Sequence, residues 1–386
     1  MTPAARVQAA ITILDEILTG KAAEQALTGW GRRSRYAGSK DRAAVRDLVF
    51  DAVRCRRSLA ALGGGETGRG LMLGLARSQN LDVDALFDGS QYGAPRVGPD
   101  DAGRPPADGA EASDMPDWLW PEFQRSVGDM AMPAAAYLQE RAPVFVRANL
   151  RRTNRAELTL ALDQEQITAV PHALADTALE ITTGARGLRN SSAFRDGLFE
   201  LQDAASQAVV QALPLDDGQR VLDYCAGGGG KTLAMGARAD LDLTACDSDP
   251  NRMRDLPERA ARAGLAVRLA DMDELDPAGG YDLVLCDAPC SGSGSWRRAP
   301  DGKWALTPER LKILTQTQDD ILDRATGLVA EAGILAYATC SVLRVENEDR
   351  VDAFLSRHPD WKSTMIQSWP LAGGADGFFV ALLARV

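Results

Sequence analysis

"VLDYCAGGGGKT", residues 221–232, decides the fold. An apolar run ends in an acid, four glycines follow, and a Lys-Thr pair opens a helical pattern. The turn comes close to a phosphate loop, which needs Gly, four residues, then Gly-Lys-Ser/Thr. Counting back from Gly230-Lys231-Thr232, the first glycine position is occupied by Cys225, so the match fails by one residue. The flanking segments must say which ligand the glycines admit.

Outward from this stretch the pattern is strand, helix, strand. Residues 220–226, 243–249, 266–271, 281–289 and 333–341 are short apolar runs, several ending in an acid or a cysteine. Helical segments such as "PERLKILTQTQDDILDRATGLVAEAG" separate them, which implies a parallel sheet with helices on both faces. Ligands of such sheets sit at the carboxyl ends of the strands. Asp247 ends the second run, 17 positions after Gly230, and Asp271 ends the third. A glycine turn followed by an acid at the next strand end suits a nucleoside: the backbone approaches the ligand and the carboxylate takes the ribose hydroxyls. Asp271 is expected at the adenine or its sugar. Read blandly, these are a tight turn and strand-end acids; their agreement in order over three strands speaks for the site.

Toward the N-terminus, residues 116–196 alternate short strands ("PVFVRANL", "LEITTGARGL") with a helix ("RAELTLALDQE"), a small α+β domain. Residues 88–115 are rich in Gly, Pro, Ala and Asp and read as a flexible linker. Residues 1–87 read as helices. Val7, Ile11, Leu14, Ile17 and Leu18 share one face, and Ser39 is the expected cap of a long helix lined by Val45, Leu48, Val49 and Val53.

The chain has 386 residues, enough for two or three domains, and a net charge of −11. Acidity counts against nucleic-acid binding in sum but not in distribution. Residues 31–57 carry nine Arg/Lys against three Asp, and residues 141–155 carry Arg141, Arg147, Arg151, Arg152 and Arg155 without an acid. Each run alone reads as a solvated face; together they suggest a basic track. No apolar run reaches membrane-spanning length and the N-terminus lacks the apolar core of a signal peptide, so a cytoplasmic monomer is the default. The six cysteines form no Cys-x-x-Cys pair and the two histidines lie far from them in sequence, which argues against a metal site and a disulfide framework.

Two cysteines remain to be explained. "DAPCSGSGSWRR" (287–298) follows the fourth strand and "YATCS" (337–341) closes the fifth, so Cys290 and Cys340 both reach the ligand-facing edge. A lone cysteine there is commonly packing. Two beside a nucleoside-type cofactor suit methylation of a pyrimidine at carbon 5. A thiolate adding to C6 makes C5 nucleophilic, the methyl group transfers, the C5 proton leaves and the thiol is eliminated. Asp287 is placed to share a proton with the base N3. The residues alone do not choose between the two thiols.

With these segments in view, the C-terminal half resembles the RNA cytosine-5 methyltransferases of the Nop/Sun family. Members carry Cys-Ala-Ala-Pro-Gly-Gly-Lys-Thr, Asp-Ala-Pro-Cys-Ser-Gly and Thr-Cys-Ser, which stand here as Cys225–Thr232, Asp287–Gly292 and Thr339–Ser341. "GLFELQDAASQ" (197–207) and "YATCSVLRVENED" resemble further family segments. The resemblance implies a Rossmann-like class I methyltransferase domain over 197–386, with S-adenosylmethionine as cofactor. It implies Cys340 as nucleophile, Cys290 as the group assisting release, and cofactor or base contacts from Cys225, Ala226, Gly227, Gly228, Gly229, Gly230, Lys231, Asp247, Asp271 and Asp287. The family's Ala-Pro is Gly227-Gly228 here, and loss of the proline predicts a more mobile loop before the cofactor binds.

"GSKDRAAVRDLVFDAVRCRRSL" resembles the NusB-like helical domain of bacterial ribosomal-RNA members. That favours a structured RNA, 16S ribosomal RNA before transfer RNA, with Arg32, Arg33, Arg35, Arg54, Arg56 and Arg57 expected at phosphates. Arg297, Arg298 and Lys303 are expected near the cleft. Two other readings stand beside this one. Methylation of an exocyclic adenine nitrogen needs Asp/Asn-Pro-Pro-aromatic where Asp287-Ala288-Pro289-Cys290 stands. A non-catalytic RNA-binding assembly factor would not need both thiols.

Overall fold

The computed structural model describes residues 1–275 and 280–386. These form two compact units: residues 1–141 with 296–308, and residues 142–295 with 309–386.

The first unit is all-α. Helices α1 (Pro3–Leu18), α2 (Ala23–Arg33), α3 (Ser39–Arg54), α4 (Arg56–Gly63) and α5 (Gly68–Ser78) enclose one apolar core. Val7, Ile11 and Leu14 of α1 are buried in it, as the spacing predicts, and Val45, Val49 and Val53 of α3 join them. Gly38, not Ser39, occupies the cap position of α3.

Residues 88–115, expected as a flexible linker, are instead pinned to this unit. Arg69 holds the carbonyls of Pro95 and Arg96 and pairs with Asp101. The Arg104 amide donates to the Ala61 carbonyl. Buried Asp114 accepts from the amides of Arg57 and Ser58, the Ser58 hydroxyl and the Gln139 amide. Composition misleads here because hydrogen bonds to backbone and side chains, with a few buried apolar residues such as Ala94 and Met115, hold a segment too polar to form a core of its own.

The second unit contains both sheets. The smaller is antiparallel, order β2-β3-β1-β4, from β1 (Val144–Ala148), β2 (Ala169–Pro171), β3 (Ala178–Ile181) and β4 (Phe199–Leu201). The larger has seven strands: β5 (Arg220–Asp223), β6 (Asp242–Ala245), β7 (Arg268–Leu269), β8 (Tyr281–Asp287), β9 (Val329–Thr339), β10 (Trp361–Trp369) and β11 (Phe378–Arg385). Their order is β10-β11-β9-β8-β5-β6-β7. The five expected strands pair in parallel, but β11 inserts antiparallel between β9 and β10, so the sheet is mixed and not wholly parallel.

The arginine run 141–155 serves the fold more than a surface. Arg147 is buried and donates to Gln202 and to the Gly230 carbonyl. Arg151 caps the carbonyls of Gly236 and Ala239 at the end of the helix Gly230–Arg238, where a cation meets the negative pole. Arg155 holds the carbonyls of His172 and Ala175, and Arg141 pairs with Asp47. Of the run 141–155, only Arg152 has an exposed side chain without an ion-pair partner among the described residues.

Candidate active site

Strand β5 delivers the chain into the glycine turn, and the helix from Gly230 carries it away. Gly227 and Gly229 have φ of +51° and +79°, backbone that L side chains rarely adopt. A Cβ on Gly229 would also stand 2.3 Å from Leu256. The Gly227 amide donates to Asp247 (2.8 Å), the Gly229 amide to the Ala226 carbonyl, and Arg259 to the Gly228 carbonyl. The turn that lacks the family's proline is fastened by hydrogen bonds.

Asp247, at the end of β6, is buried. Its oxygens also accept from the Asp249 amide and from Arg252 at 3.0 Å. Asp223, which residue patterns did not single out, closes β5 beside the turn. Thr232 donates to its Oδ2 at 2.6 Å, while Oδ1 is buried with no partner among the described residues. Burial pushes this carboxyl up to about 7. Cys225 is half-buried, and burial pushes its thiol far above the ordinary range. Asp271 follows β7 at the exposed edge of the sheet.

Strands β8 and β9 pair in register Asp287↔Ala338, so the segments after them emerge side by side. Cys290 and Cys340 meet there with sulfurs 3.4 Å apart. Lys231 Nζ bridges to Asp287 at 2.6 Å and lies 5.0 Å from the Phe378 ring centre. Burial opposes the Lys231 charge, but Asp287 outweighs it and holds the ammonium above its usual range. The two thiols differ. The hydrogen bond from Cys290, with help from the Lys231 charge, lowers the Cys340 pKa; the same bond and burial raise that of Cys290. Cys340 is the thiol that ionises first.

Glu346 explains how two loops from different strands keep this register, and it was missed in the sequence because acids before a helix are commonplace. It is fully buried and accepts from the Ser291 amide (2.7 Å) and hydroxyl, from Gln318 (3.2 Å) and from the Ser341 hydroxyl (2.6 Å). Each serine adjoins one cysteine, so one carboxylate ties both thiol segments together. Arg297 and Lys303, expected near the cleft, are each 1% exposed within the first unit. Lys303 donates to the Arg54 carbonyl and Arg54 to that of Arg297, so neither is offered to phosphate. Arg298 is exposed.

A parallel sheet with one antiparallel strand inserted beside β9, and a glycine turn on its central strand, is the fold of the S-adenosylmethionine-dependent methyltransferases. Residues 210–384 match the family model described as 16S rRNA methyltransferase RsmB/F, and residues 115–186 match the ferredoxin-like domain of the same family. The chain belongs to this RsmB/F family, which sits within the Nop/Sun resemblance of the sequence. The ribosomal RNA small subunit methyltransferase B of Yersinia pestis is 31% identical over 284 residues, covering 70% of this chain and 66% of that protein. Among solved structures, PH0851 superposes with a TM-score of 0.77 at 22% identity over 100% of this chain and 99% of its own. NSun6 from Pyrococcus horikoshii with SFG gives 0.62 at 17% identity over 70% of this chain and 98% of its own. At these identities the likeness is one of fold.

Proposed function

We propose that the protein methylates carbon 5 of a cytosine in structured RNA, 16S ribosomal RNA before transfer RNA, through a covalent Cys340 adduct. The observation that carries this is the thiol pair at the ends of β8 and β9, with the more acidic sulfur on Cys340 and the Lys231–Asp287 ion pair beside it.

S-adenosylmethionine fits the residues around the glycine turn. The orphaned buried oxygen of Asp223 can receive an ammonium, the turn exposes backbone without Cβ atoms, and Asp247 offers acceptors for ribose hydroxyls. When bound there, the cofactor supplies an electrophilic methyl group. The chain does the rest. Cys340 adds as thiolate to C6 of the base. As the ring takes up negative charge, N3 takes the proton it shares with the Asp287 carboxyl. After transfer, Cys290 assists removal of the C5 proton, and the Cys340–C6 bond breaks. Asp271 and Cys225 would line the cofactor's adenosine side.

Incubation of the protein with RNA and methyl-labelled cofactor, followed by complete nuclease digestion, tests this. Label in 5-methylcytidine is the expected result. Label in N-methyladenosine would move the site to another acceptor, and no label at all would favour a binding factor.

A further inference from the structure

Of the Arg and Lys side chains in residues 1–141, fourteen are engaged by carboxylates or backbone carbonyls. Arg33 pairs with Glu16, Arg46 with Glu24, Arg56 with Glu66 and Arg57 with Asp117. Among the described residues, Arg32, Arg35 and Lys40 are the three with no such partner, and all three are exposed. They lie within nine positions of one another, at the end of α2, in the loop after it and in the first turn of α3. In this acidic chain, an unpaired cation cluster stands out.

The same loop carries Tyr36, 75% exposed, and a second tyrosine, Tyr92, is 72% exposed. They are the two most exposed large apolar side chains of this unit, and both line one groove of about 1000 Å³. Trp30 forms part of its floor, and Gln8, Thr12 and Gln91 supply polar atoms. None of the thirteen lining residues is Asp or Glu, although the chain carries 54 of them.

We propose that this groove holds an unpaired stretch of RNA, with bases stacked on Tyr36 and Tyr92 and phosphates met by Arg32, Arg35 and Lys40. The proposal rests on RNA being the substrate. Exposed aromatic rings stack on any base whose face is free, and Arg35, next to Tyr36 in the chain, with Arg32 and Lys40 at the flanking helix ends, supplies cations for the backbone. A duplex hides those faces, so the groove selects single-stranded RNA. An uncharged apolar peptide would use the rings but leave the three cations idle.

The test is binding of a fluorescein-labelled unstructured RNA 12-mer, and of a duplex of the same composition, to the full chain without cofactor. Tyr36→Ala and Tyr92→Ala are each expected to weaken single-strand binding about tenfold, and Tyr→Phe to preserve it. Arg32→Gln with Arg35→Gln should flatten the dependence on log salt by about 1.4, roughly 0.7 per phosphate contact. Thermal melting of each variant should match the parent, since the side chains are exposed. Unchanged affinity of the tyrosine variants, or tyrosine-dependent binding of an uncharged peptide with none of RNA, overturns the proposal. Unchanged affinity of the tyrosine variants with 5-methylcytidine formed by the parent sinks this inference alone; tyrosine-dependent binding without 5-methylcytidine sinks the proposed chemistry alone.

Discussion

Lys231 is buried, bridged to Asp287 and close enough to Cys340 to favour its thiolate. A lowered thiol pKa means that the reactive form is present at lower pH than for a free cysteine. Single-turnover methyl transfer should therefore rise with pH and level off below about 9, the ordinary thiol value. In Lys231→Met the rise should move to higher pH; an unmoved profile would detach Lys231 from the thiol. The pair also predicts a division of labour. Cys340→Ala should abolish transfer, whereas Cys290→Ala should form the adduct and fail to release it, since elimination needs the C5 proton gone. Denaturing gels should show a slow protein–RNA band in Cys290→Ala that is absent from the double variant. A band in Cys340→Ala instead would exchange the two roles. At the neighbouring strand end, Asp247→Ala should weaken cofactor binding by about 1–3 kcal/mol, the worth of a charge-assisted hydrogen bond, as read by calorimetric titration. Both cysteines, Asp287 and the glycines were legible from type and spacing. Asp223 and Glu346 were not, because nothing in a sequence distinguishes a buried carboxylate from a solvated one until the packing is known.

The glycine turn and the loops after β8 and β9 are held in place by different groups. The turn is held by its own amides and by arginines from neighbouring helices, while the two thiol loops share the single carboxylate of Glu346. Glu346→Ala would leave the Ser291 amide and hydroxyl without their acceptor and remove one acceptor each from Ser341 and Gln318, which keep Ser293 and the Pro289 carbonyl. A loss of about 3 kcal/mol or more in urea unfolding is expected, with methyl transfer falling further than cofactor affinity. A variant that keeps both stability and rate would remove Glu346 from the positioning of the thiols. The same elements show where periodicity stops informing. The five parallel strands announce themselves as short apolar runs between helices. Residues 378–385, "FFVALLAR", form a continuous apolar run that period alone cannot assign to strand or helix. Its antiparallel insertion beside β9 depends on pairing partners forty to fifty residues away, and likewise "VAEAG" (329–333) belongs to the start of β9 although it continues a helical pattern.

Across the whole chain, the largest departure from the sequence lies in residues 88–115, whose composition is that of a tether and whose structure is that of a strap. One ion pair, Arg69–Asp101, fastens it to the helices, and a second, Arg104–Glu111, braces it internally. The Arg69 and Arg104 guanidinium groups hold the Asp101 and Glu111 carboxyls down to about 2. Both pKa values are depressed by folding, so their contribution is present above the unfolded values near 4 and fades as the pH falls toward 2. The strap should thus stay docked at pH 5. A direct measure is limited trypsin digestion at neutral pH, with fragments identified by mass. The Arg96–Val97 bond has its carbonyl held by Arg69 Nη2 at 3.1 Å, so cleavage there needs local opening. Slow cutting is expected in the parent protein. Arg69→Ala frees the Pro95 and Arg96 carbonyls and unpairs Asp101, and it should speed that cut by about tenfold if roughly 1.4 kcal/mol of local stability is lost. Rapid cleavage at Arg96 in the parent would restore the flexible tether, and with it the view that composition alone describes this segment.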